Sequence, residues 1–316
     1  MIKYIIKRIA LMLLTLFIIV SVCFCLVRML PRELPTDKNL SQVIEDRWEA
    51  LGYNEPLPIQ YAIYLKGIFT KWDFGTSWYI SFRTGAWELV SSRILPTILV
   101  NLYSLLLSTP LGFLFGIYSA IKKNKWQDRV ISIGIMILIS VPSYIYAFLV
   151  QYILGFKLGL FPMTVYSLSE AGGWLTPLML YSMIPAVLSL SFSEIAGLSR
   201  MTRAELSESM SADYMLLARA KGQSRMRAVF THALRNALIP ILPILISNFV
   251  GILSGSMIIE QIFSVPGVGQ LYVRSISMRD YDVFMLETIL YTFVALLAGL
   301  CVDIGYCIID PRIKLD

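Results

Sequence analysis

The chain has 316 residues, 57% of them hydrophobic and only 15% charged, with a mean hydropathy of +0.68. Soluble domains carry roughly 45–50% apolar residues, so this composition excludes an ordinary water-soluble fold and makes a membrane domain the default. The net charge of +6 is interleaved with apolar segments, which marks topology and argues against a nucleic-acid partner.

The opening stretch, MIKYIIKRIALMLLTLFIIVSVCFCLVRML, starts basic, but its apolar run is too long for a signal peptide and lacks a small-residue cleavage site. It is expected to stay as an anchor. Six runs are long enough to cross about 30 Å of hydrocarbon: Ile9–Leu30, Ile94–Ile121, Val130–Leu154, Leu175–Leu198, Ile239–Ile259 and Val283–Ile304. The chain therefore reads as an all-α integral membrane protein with six transmembrane helices. Its expected parts are an N-terminal helix (1–30), an extracytoplasmic loop or subdomain between helices 1 and 2 (31–93), a core with five helices (94–310) and a short tail (311–316).

Basic residues orient these spans. Lys3, Lys7 and Arg8 precede the first, Lys122, Lys123, Lys125 and Arg129 follow the second, and the loop 199–239 after the fourth is basic again. Lysine and arginine collect on the cytoplasmic side, so both termini and that loop are expected there, in a prokaryotic inner or plasma membrane. The other connections carry few cations: Gly155–Trp174 has Lys157, and Gln261–Asp282 has Arg274 and Arg279. Segment 31–93 is too polar for lipid and rich in aromatics, as expected of a small folded subdomain or an interfacial belt.

Gly112 and Gly116, and again Gly251 and Gly255, have the spacing that lets membrane helices approach closely. Pro110 sits in the same run as the first pair, where neighbours can satisfy the carbonyl it frees. Catalytic chemistry is sparse. His232 is the sole histidine and has no carboxylate or cysteine at ligand or dyad spacing. Cys23, Cys25, Cys301 and Cys307 lie in or beside apolar runs, without a disulfide or metal pattern. No P-loop is present, so ATP-driven work has to be borrowed from another chain. Glu194 is placed near the cytoplasmic end of the fourth span and Glu260 near the outer end of the fifth. Glu287 and Asp303 fall in the sixth. Intramembrane carboxylates are functional candidates by default.

The loop DYMLLARAKGQSRMRAVFTHALRNALIP, Asp213 to Pro240, carries Arg219, Lys221, Arg225, Arg227 and Arg235. Ser211 or Asp213 can cap a first helix, and Gly222 permits the left-handed turn that ends it. Ser224 can cap a second, in which Met226, Val229, Phe230, Ala233, Leu234 and Ala237 recur at helical spacing. Pro240 is then suited to the first position of the fifth span. Such an insert fits either an amphipathic element on anionic lipid or a short helix docking into a partner's groove.

DYMLLARAKG followed by HALRNALIP resembles the cytoplasmic signature of permease subunits of ATP-binding-cassette importers, in the dipeptide/oligopeptide/nickel branch. NEPLPIQYAIYLKGIFTKWDFGTSW, RILPTILVNLYSLLLSTPLGFLFGIYSA, IEQIFSVPGVGQL, RDYDVF and the terminal DPRIKL are similar to the same branch, in order and over nearly the whole chain. The resemblance implies a type I importer permease fold, as the first, B-type member of a permease pair. It also implies a non-catalytic role that binds no cofactor, ATP and magnesium being used by two ATPase partners. A second homologous permease and an extracytoplasmic solute-binding protein complete the implied set of partners.

On that resemblance Asp213, Tyr214, Ala218, Arg219, Ala220, Lys221, Gly222, His232, Arg235, Asn236 and Pro240 couple the chain to the ATPase. Ser247, Asn248, Ser254, Ser256 and Glu260 are its translocation-path candidates. Two features depart from the pattern: Gln223 stands where an apolar residue is usual, and Met29–Asn39 lacks a Pro-Gly-Asp-Pro-like turn. The expected cargo is short peptides, with nickel or a metal chelate as the alternative within the branch. A stand-alone carrier or channel is the alternative of a different class, and an intramembrane enzyme a third.

Overall fold

The computed structural model describes residues 2–30, 38–50 and 52–309. The tail 310–316 and residues 31–37, which hold most of the departure at Met29–Asn39, lie outside the described residues. Nearly everything described is helical; the exception in regular structure is a two-residue antiparallel ladder, Thr76–Ser77 with Thr84–Gly85. Helices are what hydrocarbon permits, because they satisfy their own backbone polar groups.

Among the described residues five helices are long and apolar enough to cross a membrane: Tyr4–Met29, Ala86–Ile121, Pro177–Ser209, Leu242–Ile262 and Tyr281–Gly305. The expected third span, Val130–Leu154, is a pair of helices, Trp126–Ser140 and Ser143–Lys157, bent by 99° at the break. The cause is local. Pro142 disfavours helical geometry at Val141, which is extended at φ −94°, ψ 126°. By length and composition the described residues thus hold up to six spans if the bent pair counts as one.

The chain divides into two compact units. One comprises Ile2–Ile94 and Leu271–Leu296. Within it lie helices Lys38–Ala50 and Leu57–Lys71 and the small ladder. The ladder is pinned by acids at the start of the last helix. The Asp280 carboxylate Oδ2 accepts from Ser77 Oγ (2.6 Å), Tyr79 N (3.1 Å) and Ile80 N (3.1 Å), and Asp282 Oδ2 accepts from Thr76 N (3.0 Å). Phe74, Leu89, Val90, Leu271, Val283 and Leu286 make its core, and Val20 and Phe24 pack with Met285 in a second cluster.

The other unit comprises Leu95–Gln270 and Leu297–Asp316. Its centre is the 33-residue helix Pro177–Ser209, capped by the Thr176 side chain and packed against both arms of the bent pair. This helix runs well past Leu198, so Glu194 lies near its middle rather than near an end. Its long buried face is rich in serine: Ser182, Ser189, Ser191 and Ser199 are all buried. Small residues there allow close approach.

The glycine spacing works at one place and not at the other. A methyl group on Gly112 would meet Leu198, and one on Gly116 would collide with Thr202 and the Ser199 carbonyl, so both mark tight helix contact. Gly251 faces open space and ends the helix Leu242–Gly251, and Gly255, at φ +64°, ends the short 3-10 turn Ile252–Ser254 that follows, so the second pair marks a break in the chain. Gly116→Ala is expected to cost about 1–3 kcal/mol through overpacking, read as a lower thermal midpoint in detergent. Gly134→Ala, whose methyl meets nothing within 4 Å, should leave that midpoint unchanged or raise it. Equal behaviour of the two variants would refute the close-contact argument.

Candidate functional site

The basic loop folds as two helical pieces on a small apolar cluster. The long helix ends at Ser209, and a short helix follows at Asp213–Ala220. Neither expected cap is used. Ala212 holds the capping position, and the Ser211 hydroxyl donates to Ser207 O at 3.1 Å, which leaves Asp213 in the first turn, where its charge suits the helix dipole. The C-terminal end matches expectation. Gly222 takes φ +83°, its N–H donates to Arg219 O (2.9 Å), and Gln223 N donates to Ala218 O (3.2 Å). These are the two bonds of a Schellman turn, which needs a residue tolerant of the left-handed region.

Ser224 caps the next helix as expected, accepting from Arg227 N at 3.4 Å. The helix carries a π turn at Val229–Ala233. The wider turn inserts a residue into the helical repeat, so Ala228, Val229, Ala233 and Ala237 are buried, while the expected core residues Met226 and Phe230 are exposed. Pro240 lies in a turn, and the fifth span begins at Leu242 with Pro243 near its first position.

Met215 and Ala218 of the short helix pack with Leu206, Ala120 and these alanines, and Tyr214 borders the same cluster. A hydroxyl relay ties three pieces together: Tyr214 Oη contacts Ser209 Oγ, which donates to Ala233 O at 2.8 Å. The long helix is braced further up by Asp128. Its carboxylate receives Arg203 Nε (2.6 Å) and Nη2 (2.9 Å) side by side, the Ser119 hydroxyl and Asn124 N (2.9 Å). A paired guanidinium and carboxylate fix orientation as well as distance.

Of the signature residues, Asp213, Arg219, Ala220, Lys221, Gly222, Arg235 and Asn236 are exposed, His232 and Pro240 are half-buried, and Tyr214 and Ala218 face inward. Two residues outside the sequence-based set stand out. Leu216 is 66% exposed and Leu217 63% exposed, on the opposite side of the short helix from its core. Their signal in the sequence was their phase, one position on from Met215 and two on from it.

The path candidates separate. Ser247 and Asn248 are exposed on the helix Leu242–Gly251 and line a recess of about 290 Å³ with Asn101, Leu105, Glu194 and Gly251. Ser254 and Ser256 flank the break at Gly255 and are half-buried. Glu260 is not in the recess. It is fully buried, accepting from Thr97 Oγ1 (2.9 Å) and Gln270 N (2.9 Å), while Thr97 Oγ1 accepts from Val268 N (2.8 Å). A methyl group on Gly255, Gly267 or Gly269 would crowd this carboxylate. The glycines of SVPGVGQ are therefore what lets the loop wrap around Glu260.

Asn101 had no place among the path candidates, and Glu194 entered only as an intramembrane carboxylate. Asn101, Ser104, Leu105 and Ser108 lie at i, i+3, i+4 and i+7 on one helix face. That polar stripe within an apolar run is the signal that could have found Asn101.

Residues 112–315 match the family described as "Binding-protein-dependent transport system inner membrane component", and residues 1–83 match "Binding-prot-dependent transport system membrane comp, N-term". The dipeptide transport system permease protein of Lactococcus lactis subsp. cremoris is 39% identical over 316 residues, covering 100% of both chains. The oligopeptide transport system permease protein of Haemophilus influenzae is 33% identical, covering 99% of this chain and 100% of its own. The glutathione transport system permease protein of Escherichia coli K12 is 35% identical, covering 99% of each. A multi-pass helical membrane protein with these matches belongs to the binding-protein-dependent inner membrane components, which have the type I ABC importer permease fold. Within that family the chain is an ABC importer permease of the dipeptide/oligopeptide branch.

Glu260→Ala leaves Gln270 N and the Thr97 hydroxyl proton without their acceptor in a dry interior, at a cost of about 3 kcal/mol. Thermal unfolding in detergent is expected to show a large drop for this variant and a smaller one for Glu260→Gln, which keeps one acceptor oxygen. An alanine variant as stable as the parent would mean that the loop holds without the carboxylate.

Proposed function

We propose that the chain is the transmembrane permease subunit of an ATP-driven importer for short peptides. It forms the translocation pathway with a second, homologous permease and is coupled to two ATPase subunits through Asp213–Ala220. Both termini and the coupling loop face the cytoplasm, in line with the basic residues before the first span, between the second and third, and after the fourth. A solute-binding protein delivers cargo to the opposite face.

The observation that carries the coupling reading is the short helix itself. It is braced on one side by Met215, Ala218 and the Tyr214–Ser209–Ala233 relay, and it shows Leu216 and Leu217 to the outside between the exposed Arg219 and Lys221. An exposed apolar pair on a rigid helix is the kind of face that enters a partner's groove, with the flanking cations steering the approach. Movement of the ATPases would pass to the long helix through this brace. For the cargo, the relatives are named for dipeptides, oligopeptides and glutathione, and all three cargoes are amino acids joined by amide bonds. They favour peptide over nickel or a metal chelate.

The experiment is reconstitution of this chain with its second permease, two ATPases and binding protein in proteoliposomes, followed by ATP-dependent uptake of labelled di- and tripeptides. Uptake that needs every component supports the reading; uptake by the isolated chain without ATPases points to a carrier and overturns it. In the same system Leu216→Glu with Leu217→Glu is expected to lower uptake by more than about tenfold, since buried interface anchors are each worth about 2 kcal/mol or more. Membrane insertion should be intact. Gly222→Trp, which forces a side chain into φ +83°, should likewise uncouple ATP hydrolysis from uptake. Normal uptake in both variants would sink the docking assignment.

A further inference from the structure

We propose that the Glu194 carboxylate is a cargo-binding group, a site within the translocation path for the ammonium group of the transported peptide. The inference rests on the peptide-permease reading and names what that reading leaves open, the chemistry by which the path holds its cargo.

Three acidic side chains of this unit have different company. Asp128 is neutralised by Arg203. Glu260 is fully buried and spent on Thr97 and the backbone of Gln270. Glu194 has neither arrangement. Among the described residues its partners are the hydroxyls of Ser108 (2.6 Å) and Ser104 (3.3 Å), both donating to Oε2, and no lysine, arginine or histidine pairs with it. Oε1 takes no part in these bonds, and the side chain lines the recess of about 290 Å³. A carboxylate within a span, held in place by two donors but lacking a counter-charge, is poised for a cation that arrives from outside the chain.

The rest of the recess selects the kind of cation. Asn101 donates through Nδ2 to Thr97 O at 2.8 Å, which leaves its amide oxygen as an acceptor beside Glu194. Ser247 and Asn248 approach from the helix Leu242–Gly251 and offer one hydroxyl and one further amide. Amide and hydroxyl groups pair with peptide N–H and C=O groups whatever the side chains are. The recess is at the small end of ligand sites, which suits the end of a peptide rather than a whole large ligand. Ammonium plus the first peptide unit is what unblocked peptides have in common, so such a site recognises cargo without reading its sequence.

Glu194→Gln separates charge from structure, because the amide oxygen can still accept from Ser104 and Ser108. The complete reconstituted complex, with its binding protein loaded, is assayed for initial uptake of Ala-Ala, Ala-Lys and Ala-Glu, alongside binding-protein-stimulated ATP hydrolysis. The variant is expected to lower uptake by at least about tenfold, the scale of losing one charge-assisted bond, with stimulated hydrolysis unchanged. Glu194→Asp should restore part of it. Equal slowing of all three peptides identifies the N-terminal ammonium, and slowing of Ala-Lys alone identifies a side-chain ammonium. Uptake at the parent rate or faster overturns the proposal, as does loss of the second permease on purification, which would place Glu194 in the permease interface. Absence of peptide uptake by the unsubstituted complex overturns the peptide reading itself, and this inference with it.

Discussion

Hydrocarbon supplies no hydrogen bonds, so every polar group inside a span has to be satisfied by the chain itself or by something that enters the span. The structure follows from how that requirement is met. Serine and threonine hydroxyls return to the helix that carries them: Ser21 bonds Phe17 O, Ser189 bonds Pro185 O and Ser191 bonds Val187 O. Satisfied in this way, small polar residues become packing surface, and the long helix Pro177–Ser209 can bury a serine-rich face against its neighbours. Where a loop must leave helical geometry, as at Gly255 and Gly267–Gly269, a buried glutamate takes the place of the missing helix bonds. Glu260 is in that sense part of the backbone of the loop.

The same requirement makes the exceptions informative. A bidentate ion pair at Asp128 and Arg203 closes on itself and stiffens the helix that leads to the short helix Asp213–Ala220. Glu194 does not close on itself. On the loop the mismatch has the opposite sign, with Leu216 and Leu217 presenting apolar surface on a polar segment. A polar group lacking its complement in an apolar place and an apolar group lacking its complement in a polar place both mark where the single chain is incomplete. They agree with a subunit that works as part of an assembly.

Much of this was legible in the residues because it depends on local periodicity. Five of the spans could be read from apolar length alone, and the helix–Gly–helix form of the loop from Ser224 and Gly222. Other readings failed where geometry overrides period. Val141–Pro142 is two residues in an unbroken apolar run, yet the proline ring keeps Val141 out of helical geometry and the run turns by 99°. The π turn at Val229–Ala233 shifts the phase of the helix, so Ala228 replaces Met226 and Phe230 in the core. The fourth helix outruns its apolar stretch because packing holds the polar residues beyond Leu198. That moved Glu194 from the end of a helix to its middle.

Composition, basic-residue placement and the ordered motifs were enough by themselves to determine a multi-pass helical permease and the segment of its loop that carries the signature. These are properties of one residue after another along the chain. Which carboxylate is buried in a loop and which faces open space was decided by the tertiary structure alone. Glu194 and Glu260 are both glutamates near the polar interruption of an apolar run, and no local pattern separates them. The difference lies mainly in residues far away in sequence, Thr97 for one, Ser104, Ser108 and Asn248 for the other, and only folding brings those groups within hydrogen-bond distance or across a recess.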